Sequence, residues 1–165
     1  MHVVGCYSER FGCDLAENCE CALARFDSAA GGWPAGVKAR GKLRHAPSHI
    51  IDVAPTCLAA AGLSAKAMEG ESLLPVFAAD RQDERTLFWE HEGNRAVRRG
   101  NYKLVALHDS PWELYDMGKD RSELKDLSSI MPGKAEQLRK VYHAWAKRVN
   151  ARPWNEVNVK KKNKK

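Results

Sequence analysis

Thr86-Leu87-Phe88-Trp89-Glu90-His91, Glu92-Gly93, Asn94-Arg95-Ala96-Val97-Arg98, Arg99-Gly100-Asn101 and Tyr102-Lys103-Leu104-Val105-Ala106-Leu107 form one unbroken stretch of sequence, and its reading decides the fold. The first segment is rich in Phe and Trp, as strands are. Glu92-Gly93 is a two-residue turn, and the next strand runs from Asn94 to Arg98. Arg99-Gly100-Asn101 turns the chain again, and Tyr102 to Leu107 alternates as a third strand. Trp112 to Asp116 reads as a fourth. Connections this short predict an antiparallel meander of four strands. Asp116 to Asp120 is a polar turn around Gly118.

Toward the C-terminus, a helix is expected to start near Pro132, a residue suited to a first helical turn. Ala135, Leu138, Val141, Tyr142, Trp145 and Val149 fall on one face, while Lys134, Gln137, Arg139, Lys140 and Lys147 fall elsewhere. Such an amphipathic helix covers one face of a small sheet. Toward the N-terminus, Ser48 is the expected N-cap of a second helix. Its apolar set is Ile50, Ile51, Val53, Ala54, Cys57, Leu58 and Ala61, with Gly62 closing it. Pro55 bends that helix or divides it from a short first turn. Gly70-Glu71-Ser72-Leu73-Leu74-Pro75 is a turn leading into a short apolar docking segment, and Asp80 to Arg85 is charged and exposed. Val37 to His45 reads as an exposed basic arm, and Trp33-Pro34-Ala35-Gly36 as a turn. There are no internal repeats.

A chain of 165 residues suits one domain of ordinary size. Its 44% apolar and 29% charged residues exclude a largely disordered or fibrous protein. The best apolar stretch, Ile50 to Ala61, is broken by Asp52 and Pro55, so no transmembrane helix and no membrane partner are expected. The net charge is +6, but Lys160, Lys161, Lys162, Lys164 and Lys165 supply five of it, leaving +1 for residues 1–159. Residues 158–165 read as a basic, solvated tail. Nucleic-acid binding through that tail is the least favoured reading, because aromatic residues are not interleaved with the lysines.

Cys6, Cys13, Cys19 and Cys21 crowd the first 21 residues, a break in composition that marks residues 1–32 as foreign to the rest. Their spacing lacks the paired knuckles of a zinc site. A disulfide clip in a secreted chain and no selected role at all are the other two readings. Val3-Val4-Gly5-Cys6 superficially resembles a lipoprotein cleavage box, but no basic and apolar leader precedes it.

The histidines show no metal-ligand spacing. His91, Glu92, Asn94 and Arg95 share one hairpin tip, a set suited to an anion or a sugar hydroxyl. A polar tip with no ligand is the competing reading. Of Arg98 and Arg99, one is expected to point inward, with Glu113 or Asp116 as its carboxylate partner. G-x-S-x-G, the P-loop and G-x-G-x-x-G are all absent, so no complete active site is legible.

Six ordered segments do resemble a known family. They are Trp33-Pro34-Ala35-Gly36-Val37-Lys38, His49-Ile50-Ile51-Asp52-Val53-Ala54-Pro55-Thr56, Gly70-Glu71-Ser72-Leu73-Leu74-Pro75, Phe88 to Arg98, Asn101-Tyr102-Lys103-Leu104-Val105, and Trp112-Glu113-Leu114-Tyr115-Asp116. Asp120-Arg121-Ser122-Glu123 with Asp126-Leu127 follows, similar to an "ELYDL…DPxExxNL" ending in which Arg121 stands for Pro and Asp126 for Asn. Together they resemble the C-terminal part of arylsulfatases, formylglycine-dependent enzymes of the alkaline-phosphatase-like superfamily. The match spans residues 33–150.

The resemblance implies an α/β protein whose C-terminal subdomain, an α+β fragment, has a four-stranded antiparallel sheet and a packed terminal helix. The helix after Ser48 would come from the edge of a missing large α/β domain. The chain then divides into an irregular Cys-rich stretch over 1–32, the sulfatase C-terminal region over 33–157, and the tail over 158–165.

The implied chemistry is sulfate-ester hydrolysis by a hydrated formylglycine, with calcium polarising the sulfate. In the family those groups lie upstream of the Trp-Pro segment. Cys6-Tyr7-Ser8-Glu9-Arg10 matches the C-x-P-x-R spacing, but Ser8 replaces Pro and the segment sits too close to the C-terminal region. Hence no catalytic or metal residue carries over, and the chain alone is expected to be inactive. What carries over is a substrate rim of His91, Glu92, Asn94 and Arg95. The expected partners are a sulfate ester and the missing large domain. Relatives are often periplasmic or secreted. A frame that shifts near Gly31 or a mis-called start would account for residues 1–32. The alternative is a non-catalytic structural or interaction module.

Overall fold

The computed structural model describes residues 44–79 and 84–157, which belong to two compact units divided between Asp83 and Glu84. The four N-terminal cysteines, the Trp33 turn, most of the basic arm, Asp80 to Asp83 and the lysine tail lie outside the described residues, and Arg85 is half-buried rather than exposed.

In the first unit a 3-10 turn, Ile50–Asp52, leads into α1, Val53–Ala60. Pro55 occupies the first turn of α1, where its missing N–H leaves nothing unpaired, and is fully buried. His49, not Ser48, caps this start. Its Nδ1 accepts from Ile51 N at 3.2 Å, and Asp52 Oδ2 accepts from His49 N at 2.7 Å, a reciprocal capping box. The Ser48 hydroxyl instead donates to Ala46 O. Gly62, at φ +74°, ends α1 as expected: Gly62 N donates to Ala59 O and Leu63 N to Leu58 O, a Schellman closure.

The buried side of α1 differs from the apolar periodicity. Asp52, Pro55 and Thr56 are buried, while Ile50, Ala54, Cys57 and Ala61 are exposed. The reason is hydrogen bonding. Asp52 Oδ1 accepts from Glu71 N at 3.0 Å, and Thr56 Oγ1 accepts from Leu73 N at 2.9 Å while donating to Asp52 O at 2.6 Å. These bonds clasp α1 to the 70–73 loop, which delivers α2, Leu74–Ala78. Gly70 is required there, because a Cβ would lie 2.1 Å from Ile51 O. Arg44 is half-buried, not part of an exposed arm; its Nε donates to Val76 O at 2.9 Å and its Nη2 to Phe77 O at 3.3 Å.

The second unit is the expected meander with its helix. Strands β1 (Thr86–His91), β2 (Asn94–Arg99), β3 (Tyr102–Ala106) and β4 (Glu113–Asp116) form one antiparallel sheet in sequence order. β2 runs one residue longer than expected, β3 ends one earlier, and β4 begins after Trp112. Phe88, Val97, Leu104 and Leu114 are cross-strand neighbours in one row. That row packs on α3, Pro132–Arg148, through Leu138 and Tyr142, with Trp145 stacked on Phe88 at 4.8 Å between ring centroids. Each fully buried aliphatic side chain in the row contributes about 1.5–3 kcal/mol. Val149 lies beyond the packed face and is exposed. Asn150, at φ +54°, closes α3, with Ala151 N donating to Ala146 O at 2.9 Å.

The connection after β4 is held by its own carboxylates. Asp120 Oδ2 accepts from Leu124 N and Lys125 N, both at 2.9 Å, and Asp126 Oδ1 accepts from Leu114 N at 2.9 Å. Glu123 reaches Lys103 Nζ at 2.5 Å, and both side chains are buried. Arg98, on the face opposite Val97, is half-buried and Arg99 at the strand end is exposed; Arg98 Nε donates to the Gly100 carbonyl at 3.1 Å.

Candidate functional site: the β1–β2 hairpin tip

The tip is a tight two-residue turn in which Glu92 and Gly93 both take the left-handed conformation, at φ 53° and 86°. Gly93 is dictated twice. Its φ favours glycine, and a Cβ would lie 2.6 Å from His108 Nδ1 and 3.1 Å from Trp154 Cβ. Its N–H donates to Glu90 Oε1 at 3.1 Å, and Asn94 Oδ1 accepts from His108 N at 2.9 Å. The hairpin is therefore braced by the segment after β3 and by Trp154.

The four rim residues do not share one face. His91 and Asn94 are cross-strand partners, and so are Glu90 and Arg95. Alternation puts the second pair on the α3 face and the first pair on the opposite one. His91 and Glu92 are exposed, whereas Asn94 and Arg95 are half-buried.

Arg95 Cζ lies 4.9 Å from the centroid of the Trp112 ring, a cation–π contact, and Trp112 meets Tyr142 edge-on at 5.3 Å. The buried Arg95 Nε has no hydrogen-bond partner among the described residues. Burial, reinforced by the Glu90 charge and opposed by Arg95, pushes the Tyr142 hydroxyl well above the ordinary phenol range. Tyr142 therefore stays protonated at physiological pH. Across the tip, His108 Nε2 lies 3.4 Å from Asp109 Oδ2.

Among the described residues no three His, Cys, Asp or Glu side chains come together to hold a metal ion. The described cysteine, Cys57, is exposed on α1 and is followed by Leu58-Ala59-Ala60-Ala61, not by x-Pro-x-Arg. The described residues therefore fit neither calcium nor formylglycine.

Sequence reasoning missed Asp52, Thr56, Lys103, Glu123, His108 and Trp154. For Asp52 and Lys103 a signal existed: each is a charge inside an apolar run, which is kept only with a partner. His108 and Trp154 are joined to the tip through space alone.

Compared with known proteins, residues 31–151 match the family model described as N-sulphoglucosamine sulphohydrolase, C-terminal. The chain belongs to that sulfatase C-terminal family. A curated relative, an uncharacterized sulfatase of Schizosaccharomyces pombe, is 39% identical over 54 residues, which are 30% of this chain and 10% of the relative. Among solved structures, Ps i-CgsB is similar at a TM-score of 0.60 and 23% identity over 69% of this chain and 27% of its own. BT4656, solved with its substrate D-glucosamine-2-N,6-O-disulfate, is similar at 0.53 and 24% over 69% and 26%. At these identities the two structures speak to the fold. The chain thus spans a tenth of the curated relative and about a quarter of each solved one.

Within this family setting the resembling segments have physical roles. The His49 and Gly70 segments clasp each other through Asp52, Thr56 and Gly70. The Asp120 segment fastens to β3 and β4 through Glu123 and Asp126.

Proposed function

We propose that this chain is the C-terminal region of a sulfuric ester hydrolase whose nucleophile and cation site lie outside the described residues. The observation that carries the reading is the family match over residues 31–151, joined to a fold whose matching segments serve to hold the region together. Formylglycine and calcium belong to the proposed remainder of the enzyme. The region's own contribution is a rim. His91 and Glu92, exposed at the tip, supply side chains to a substrate. Asn94, on the same face as His91, sits just behind them, while Arg95 lies on the α3 face with a buried Nε that no described residue bonds. A sulfate ester, as an anion with hydroxyl neighbours, suits such donors.

An aryl sulfate is the substrate class suggested by the resembling segments. A sulfated amino sugar is the second reading, favoured by the substrate after which the matching family is named and by the ligand of BT4656. The remaining alternative is a region that folds and serves without catalysis.

The test is to translate all frames upstream of the Met1 codon and assay the resulting full-length protein on 4-nitrophenyl sulfate and on glucosamine sulfates. A C-x-P-x-R or S-x-P-x-R motif with aspartate ligands, joined near Gly31, and turnover of either substrate support the reading. Absence of both the motif and turnover leaves the non-catalytic module. In an active protein, His91→Ala is expected to change KM or kcat severalfold; unchanged values of both would remove His91 from the rim.

A further inference from the structure

His49 is buried at the start of α1, and its ring is bonded into the backbone. Nδ1 accepts from Ile51 N at 3.2 Å, so that nitrogen carries no proton and the neutral ring holds its proton on Nε2. The usual N-caps are Ser, Thr, Asp and Asn, whose side-chain oxygens accept throughout the neutral range. An imidazole caps in this way only while it is uncharged. The same short stretch carries the clasp. Asp52 accepts from His49 N on Oδ2 at 2.7 Å and from Glu71 N on Oδ1 at 3.0 Å, while Thr56 holds Leu73 N. A titratable cap is thus joined directly to the bonds that fix the 70–73 loop.

We infer that His49 is an acid-sensitive latch: with its ring neutral the 70–73 loop is clasped to α1, and protonation of the ring releases the loop. Two routes lead to that release. If the protonated ring stays in place, Ile51 N faces a donor instead of an acceptor, and a buried cation sits at the positive end of a helix. If the ring turns toward Asp52, it draws on a carboxylate whose two oxygens already hold His49 N and Glu71 N. The other charged or titratable groups that the described elements of this unit bring to the clasp are Arg44 and His45 on the lead-in, Cys57 on α1, and Lys66, Glu69 and Glu71 on the loop; α2 has none. Arg44 is engaged by Val76 O and Phe77 O, and the rest are exposed. The open form takes up a proton that the clasped form excludes. The clasp therefore weakens as pH falls through the ordinary imidazole range near ~6.5. The latch needs no sulfatase chemistry, so loss of that reading leaves it standing.

The test is amide hydrogen exchange of the purified full chain between about pH 7.5 and about pH 5.5, with protection corrected for the intrinsic rate at each pH. That window stays above the ordinary carboxylate range near pH ~4. On acidification the Glu71 and Leu73 amides are expected to lose at least fivefold in protection, while the sheet amides of the second unit keep theirs. His49→Asn, whose amide oxygen stands in for Nδ1 without titrating, is expected to hold protection level across the window. His45→Gln is expected to behave as the wild type does. Equal losses in the wild type and His49→Asn overturn the latch, and so does protection that holds or rises in acid. If His49→Asn fails to fold, long-range proton–nitrogen NMR of the wild type decides. A His49 ring protonated on Nε2 alone at about pH 7.5, gaining its second proton as Glu71 and Leu73 lose protection, supports the latch. A ring already protonated on Nδ1 at that pH, or one that titrates with no change in protection, overturns it.

Discussion

Lys103 stands in the middle of an apolar strand, and its ammonium is neutralised by Glu123, itself held at φ 55° and buried. Removing one partner strands a buried charge. Lys103→Met alone is therefore expected to cost about 3–5 kcal/mol, and Lys103→Met with Glu123→Leu to recover most of it. Urea unfolding of the two singles and the double tests this; equal loss in single and double would mean that the charges are not coupled. Gly70→Ala sets a Cβ 2.1 Å from a backbone oxygen that cannot swing aside, and is expected to cost about 3 kcal/mol or more by the same measurement. Asp120 gives a pH signature. The N–H groups of Lys125 and then Leu124 hold its carboxyl below the usual Asp range. A depressed folded value contributes stability that is present above the unfolded value and lost as pH falls through the folded one. The urea midpoint of the wild type is expected to fall more below pH ~4 than that of Asp120→Asn, whose amide oxygen accepts without titrating. Parallel curves would remove Asp120 from the acid response.

At the scale of elements, the β1–β2 turn carries a suboptimal residue. Glu92 occupies a left-handed position that Asn takes more readily, so Glu92→Asn is expected to raise stability by about 0.5–1 kcal/mol. A lower thermal midpoint would show that the Glu92 side chain is needed where it stands. The meander was legible because turn formers punctuate Thr86–Asp116: two-residue turns join β1 to β2 and β2 to β3 and leave an antiparallel sheet as the simple solution, whereas the alternation expected of β3 is not seen, since Lys103, Leu104, Val105 and Ala106 are all buried. α3 was legible because Leu138, Tyr142 and Trp145 recur at helical spacing over a long span. α1 was legible in place but not in orientation. Eight residues rich in Ala give a weak stripe, and Asp52 and Thr56 decide the buried side through bonds to a loop some 17–19 residues away, which periodicity does not report. The hairpin-tip set was legible as neighbours in sequence. Its division between two faces follows from alternation alone, whereas His108 and Trp154 enter only when the chain folds back.

For the molecule as a whole, the question is whether these residues make a self-sufficient protein or a region shaped for a larger one. The apolar residues that α1 and its following loop leave in solvent bear on it directly. Ile50 is 55% exposed and Leu63 60%, with Met68 beside them in sequence order. In the second unit Leu124 is 82% and Ile130 65% exposed. Isolated apolar side chains are ordinary on a protein surface, but several in so short a span are not, since monomers keep contiguous apolar patches small. The solved structures of this fold are about four times as long as the part matched, which gives such surfaces something to meet. The purified chain is therefore expected to bind the dye ANS strongly and to associate as its concentration rises. Ile50→Gln with Leu63→Gln removes the two largest exposed apolar groups near α1, and is expected to lower dye fluorescence by at least half without shifting the thermal midpoint, because neither side chain is packed. Weak dye binding together with a monodisperse monomer would favour the self-sufficient module. A dye signal that the double substitution leaves intact would move the exposed surface to the second unit, where Leu124 and Ile130 become the next pair to change.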